Sequence, residues 1–332
     1  MATYQGIKGR TVQNLASDPP AAVGSGQVWY NTTAGTLKTS VQVGAWASGT
    51  TLNGPGSRYN VCGFGILTAG AMVGGYGPPD GATRTSETTE YDGTTWTIGG
   101  AMVQQASDGT SSGPLTGAFC AGGYTGSYVN ASATYDGTSW TAAGLLTDGA
   151  RGLPQNQSFG TGSAGAVFGG PNAGTNVTEE FDGTSWAGVN NMPTVRGGGA
   201  GGGTQTDAFA AAGFVGSYPT VGNTSITYDG TSWTASNPVN TGRARAGGST
   251  GGGAASLGFF CGGSTAPTTY VTAAEEFDGT SWASMPSLAT ARVAAAVFGT
   301  KTAGVIAGGT PSDSSVEEFT LADTVQTITS TT

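Results

Sequence analysis

Five aspartates recur in one setting: Asp92, Asp136, Asp182, Asp229 and Asp278 each lie between an aromatic residue and a Gly-Thr-(Ser/Thr)-Trp run. Glutamates stand in pairs at Glu179/Glu180, Glu275/Glu276 and Glu317/Glu318. Repeated carboxylates are the raw material of acid–base catalysis, glycoside hydrolysis or calcium binding. Each use meets an objection. Asp before Gly in a turn accepts hydrogen bonds from the backbone N–H groups just after it, which accounts for all five aspartates at once. Adjacent glutamates on a strand point to opposite faces, so a pair cannot act on one substrate, and solvated charge is the role expected of them. The chain has no histidine, the commonest general base and metal ligand. No catalytic residue, metal or cofactor is expected, and the chain is not expected to be an enzyme.

Other candidates are weaker still. Cys62, Cys120 and Cys261 are odd in number and lack C-x-x-C spacing, which suits buried thiols. The glycine runs 197–203 and 247–253 are not followed by Lys-Ser/Thr, as a phosphate-binding loop requires. Arginine is more suggestive. Arg58, Arg151, Arg196, Arg245 and Arg292 fall 17 to 19 residues before the glycine strand end of their own copies of a repeat. The loops after those strand ends vary and carry Tyr76, Tyr124, Tyr128, Phe214, Tyr218 and Tyr270. Arg151, Arg196 and Arg245 with these aromatics would make a surface for gripping sugar or protein. The alternative is that the arginines brace neighbouring loops and the aromatics cover loop backbone.

The repeat itself positions these residues. Trp96, Trp140, Trp186, Trp233 and Trp282 are 44, 46, 47 and 49 residues apart, and a worn sixth copy around Phe319 lacks the Trp. Each of the other five copies has a Gly/Ala-rich stretch, an apolar run ending in small residues, a variable loop, an alternating strand, an Asp-Gly turn and a return strand. Four short strands per unit of this length match a β-propeller blade. Glycine supplies 61 of 332 residues and charged residues only 9%. Bare backbone suits first strands crowded around an axis, and the Trp suits packing between blades. The fold class expected is all-β: a six-bladed propeller over 51–332, preceded by an extended N-terminal arm over 1–50. The arm holds one hairpin in "QVWYNTTAGTLKTSV", with its turn near Thr33–Gly35. Part of it, Thr36–Trp46, is a candidate to complete the copy that lost its Trp.

The aromatic-Asp-Gly turn, the Gly-Gly strand end and the following Trp resemble the kelch repeat. Kelch propellers serve as enzymes, adaptors and binders alike, and the copper oxidases among them use histidine ligands that this chain lacks. A second resemblance covers nearly the whole chain. "SDPP…GQVWYNTTAGTLK…GAW" followed by glycine-rich "EEFDGTSWA" repeats is similar to virion proteins of marine tailed bacteriophages. It implies a structural protein of a tail fibre, knob or capsid exterior, assembled in the host bacterial cytoplasm. Residues 1–50 would attach to other virion proteins, and the propeller would meet a host-surface glycan or protein or decorate the particle.

Bulk properties agree with that expectation. A net charge of −9 without a basic cluster argues against nucleic acid. No apolar run is long enough to span a membrane, and the N-terminus has no signal-type apolar core. A bacterial surface or secreted carbohydrate-binding propeller is the competing reading, and it would ordinarily need an export signal.

Overall fold

The computed structural model describes residues 12–19, 26–52, 57–77, 83–154, 156–171, 175–216, 219–249, 251–311 and 314–329. The chain divides into two units, Met1–Ala45 with Thr320–Thr332, and Trp46–Phe319. The boundary thus falls before Trp46, where 1–50 and 51–332 had been expected, and the last residues group with the first.

Trp46–Phe319 is built from small antiparallel sheets and has a β-propeller-like architecture. Strands Cys62–Ile66, Ala69–Val73, Thr88–Tyr91 and Trp96–Ile98 form the first sheet. The second has Thr110–Ser112, Ala118–Ala121, Ser132–Tyr135 and Trp140–Ala142, and the third Ser158–Thr161, Ala164–Phe168, Thr178–Phe181 and Trp186–Gly188. The fourth has Ala200–Thr204, Asp207–Ala211, Ser225–Tyr228 and Trp233–Ser236, and the fifth Gly247–Gly248, Phe259–Cys261, Ala274–Phe277 and Trp282–Ser284. In the sixth, Ala296–Thr300 and Ala303–Ala307 lie beside the start of the long strand Val316–Thr327. First strands of successive sheets adjoin in a cycle, and that of the sixth sheet adjoins that of the first.

The repeated turn follows from its aspartate. Tyr228 pairs with Trp233 across a loop, Asp229–Ser232. Asp229 Oδ1 accepts from the N–H groups of Thr231 and Ser232 at 2.8 and 2.7 Å, and Oδ2 accepts from Ser232 Oγ. Asp92, Asp136, Asp182 and Asp278 do the same. These backbone donors hold all five carboxyls below the usual aspartate range.

The returning Trp packs on a Phe of the preceding sheet: Trp140 on Phe64, Trp186 on Phe119, Trp233 on Phe159 and Trp282 on Phe209. Trp96 packs on Phe298 and Trp46 on Phe259. Trp46 also meets Phe319, and Gly49 N–H donates to Val316 O at 3.0 Å. Trp46 therefore stands where the worn sixth copy has no Trp of its own. Crowding near the first strands is severe enough to demand glycine: a Cβ on Gly202 would fall on Ser249 O. Cys62, Cys120 and Cys261 are buried and free.

In the other unit, Gln13–Leu15 pairs parallel with Val28–Asn31, which forms a hairpin with the start of Thr36–Ser48. Asp18 caps it, accepting from Trp29 Nε1 and Asn31 Nδ2. The C-terminal strand runs alongside, with Ile328 N–H donating to Leu37 O and Lys38 Nζ to Thr327 Oγ1.

The paired glutamates differ from expectation. Glu179, Glu275 and Glu317 are buried rather than solvated, and form ion pairs with Arg151, Arg243 and Arg292 at 2.9, 2.5 and 2.7 Å. Their partners in sequence face the other way: Glu180 and Glu318 accept from the hydroxyls of Tyr228 and Tyr91 in the next sheet, and Glu90 from Tyr135. Period-2 alternation is as expected. In stacked sheets, however, the face that carries Glu179, Glu275 and Glu317 is dry, and the face that carries Glu180, Glu276 and Glu318 is half-buried.

Candidate functional site

The arginines mark how one sheet passes to the next. The last glycine of each glycine strand end, a Gly-Gly pair in five copies and Ala212-Gly213 in the fourth, donates its N–H to the carbonyl of the residue that opens the following sheet. These bonds are Gly75 to Ala106, Gly123 to Arg151, Gly170 to Arg196, Gly213 to Arg243, Gly263 to Arg292 and Gly309 to Arg58. Two residues on, or five in the third sheet, the chain takes a left-handed turn. The turn residues are Asn60, Asp108, Asn156, Gly198, Arg245 and Ala294, with φ between 52° and 60°. Non-glycine residues hold this conformation only at a cost, so five of them in one register are held by their surroundings. The collar is tied by backbone bonds from Asn60 N to Ala294 O, Asp108 N to Asn60 O, Arg245 N to Gly198 O and Ala294 N to Arg245 O.

The collar side chains differ. Asn156 is buried and reaches three other sheets: Nδ2 donates to Gly248 O and Val297 O at 2.9 Å, and Oδ1 accepts from Gly63 N–H at 3.5 Å. Asp108 is half-buried and accepts from Ser107 Oγ at 3.0 Å. Burial pushes its carboxyl up, opposed by the Ser107 bond, the Arg245 charge, a bond from Asn60 and the Arg84 charge. Around this carboxyl the variable loops supply rings. The Arg84 guanidinium lies 4.6 Å from the Tyr124 ring centre and 5.1 Å from that of Tyr76. Tyr76 stacks on Tyr59 at 5.3 Å, and Tyr124 meets Tyr128 edge-on at 5.4 Å. Tyr128 is 46% exposed, and burial of its inner part, with Asp108 and Tyr124 nearby, raises its hydroxyl pKa. The Arg245 guanidinium approaches Phe214 at 5.9 Å.

Of the residues expected to bind, the structure thus gathers Tyr76, Tyr124, Tyr128 and Arg245 near Asp108. Phe214 is nearby but buried, and serves as the floor beneath Arg245. Tyr270 lies on the two-stranded sheet formed with Ser264–Ala266, and no described ring contact joins it to this group. Tyr218 lies outside the described residues. Two expectations need correction. Arg151 is 6% exposed and held by Glu179, and Arg196 is fully buried, donating to Ala212 O, Thr224 O and Thr224 Oγ1. Their guanidiniums brace their own sheets and cannot grip a ligand. Burial alone pulls the Arg196 pKa down to about 10. In the fifth sheet the bracing residue is Arg243, not Arg245, because Arg243 carries the carbonyl contact and the ion pair. Arg84, Asp108 and Asn60 were missed; their one sequence signal is that the collar position differs from copy to copy.

The assembled group offers a carboxylate acceptor, two guanidinium donors, an amide, the half-buried rings of Tyr76 and Tyr124 and the exposed ring of Tyr128. That set can hydrogen-bond hydroxyls and stack on a sugar face or an apolar side chain. No group of three or more His, Cys, Asp or Glu suited to a metal occurs among the described residues.

No protein-family model matches this chain, and no curated protein does. A solved structure does. That of YjhT is 15% identical, with a TM-score of 0.60 covering 83% of this chain and 99% of the other. This likeness is one of fold, and agrees with the propeller-like arrangement of sheets.

Proposed function

We propose that this chain is a non-enzymatic virion protein of a tailed phage. In this reading it is a six-bladed kelch-like propeller displayed on the particle exterior, and it binds a host-surface glycan at the Asp108 collar. The observation that carries the recognition role is the convergence of Asp108, Asn60, Arg245 and Arg84 with Tyr124 and exposed Tyr128. Repeated scaffold residues serve folding, whereas this group occurs once among the described residues. A closed six-bladed ring is supported by the cyclic adjacency of first strands and by the bond from Gly309 N to Arg58 O. Trp46 supports it too, as the sixth blade's Trp supplied from the other end of the chain.

The virion assignment rests on the resemblance of the first fifty residues and repeats to phage proteins. Tyr30, Val43, Val325 and Ile328 are each exposed by more than a third in the unit of both termini. They give it apolar surface for attachment to other virion proteins.

The test is adsorption of the purified full chain to host cells, with and without enzymatic removal of surface glycans. Binding is expected to require the glycans and to fall at least about tenfold in the Asp108→Asn/Tyr128→Ala double variant, a loss of about 1.4 kcal/mol. Undiminished adsorption by a folded double variant overturns recognition at the collar. Dependence on surface protein instead of glycan redirects it to a protein receptor.

A further inference from the structure

The residue that opens each sheet is arginine five times and alanine once, at Ala106. Arg58 shows what the side chain does: its guanidinium donates to the carbonyls of Gly74 and Glu87 at 3.1 and 2.7 Å and to Thr89 Oγ1 at 2.6 Å. The counterparts in the second sheet are Gly122, Ala131 and Ala133, as set by the shared pairing of the strands. All three, with Ala106, line a cavity of about 130 Å³. The second sheet therefore keeps the slot and leaves out both the arginine and its partner. Its walls, including Met102, Val103, Cys120 and Leu145, are almost wholly carbon. It opens beside Val103 and Leu145, each 59% exposed.

We infer that this slot is a binding site for a compact neutral apolar group the size of a benzene ring. An enclosed apolar protein cavity of roughly 150 Å³ takes up benzene, and this slot, open on one side, has a similar volume and an apolar lining. No carboxylate lines it, so a free cation would have to shed water without gaining a counter-charge. Nor does the fold demand small residues here, since five of the six equivalent positions hold arginine.

Benzene and guanidinium are the two probes, titrated separately into the full chain while the methyl signals of Ala106, Ala133 and Val103 are followed by NMR. Benzene is expected to shift these signals saturably, with a dissociation constant of about 1 mM or tighter. Filling the slot in Ala133→Leu should weaken binding at least about tenfold, and Ala106→Val, a smaller intrusion, should do so if the leucine variant fails to fold. The inference is overturned if benzene gives no saturable shift, if a folded filled variant binds it as well as the parent, or if guanidinium saturates the slot and benzene does not.

Discussion

In the fifth sheet, Arg243 and Glu275 occupy a buried slot as an ion pair; in the second, Ala106 and Ala133 leave the same slot open. The backbone does not register the difference. Gly213 N–H reaches Arg243 O at 2.8 Å, and Gly75 N–H reaches Ala106 O at 2.8 Å. The connection between sheets is made by groups that every residue carries, so the side chain at this position is free to vary. Arg58 and Arg196 show a third solution, with carbonyls and threonine hydroxyls in place of a glutamate. A repeat scaffold of this kind can hold an ion pair, a lone cation or a cavity without changing its sheets.

Breaking the comparison at its stronger end should have the largest effect. Glu275→Ala leaves Arg243 fully buried without its carboxylate and exposes the N–H groups of Asn240 and Thr241 to loss of their acceptor. A cost of about 3–5 kcal/mol is expected, read as a lowered urea midpoint. At the other end, Ala133→Leu should gain about 0.5–2 kcal/mol in the same measurement if the slot accepts the added carbons without strain. The sign of the two changes should therefore be opposite.

Contacts between sheets sharpen the picture with smaller effects. Tyr228→Phe removes the 2.7 Å bond to Glu180 and should cost about 1 kcal/mol. The equivalent bond from Tyr135 also gives a pH dependence. Burial first, and then the Glu90 bond, push the Tyr135 hydroxyl up to about 12. The folded state thus holds this proton more tightly than the unfolded chain, whose tyrosines titrate near ~10. Its contribution is complete below about pH 10 and is lost as pH rises through about 12. Thermal midpoints measured from pH 9 to 12 should fall, and less steeply in Tyr135→Phe.

The turn of the five intact copies was legible because its cause is local: Asp229 bonds to residues two and three positions on, whatever surrounds it. The tryptophans were legible for a related reason, since a large ring at a fixed interval must find a neighbouring sheet. Glu275 was misread because alternation tells which residues share a face and not whether that face is wet. Arg245 was mistaken for Arg243 because distance counted from a glycine pair does not survive changes in loop length between copies. Asp108 was overlooked for a deeper reason. Its neighbours Asn60, Arg84 and Arg245 lie far from it in the chain, and no spacing in one copy announces a meeting of three sheets.

By itself, then, the sequence determined the repeating unit: four strands, an Asp-Gly turn and a packing Trp, all consequences of interactions within one copy or between adjacent copies. The tertiary structure alone decided what the unequal positions do. It turned Arg151 and Arg196 inward, gave Trp46 to the sheet that lacked a Trp, brought Asp108 to the arginines and opened a slot at Ala106. Those outcomes depend on which copies face one another when the sheets pack, and that is information no single repeat contains.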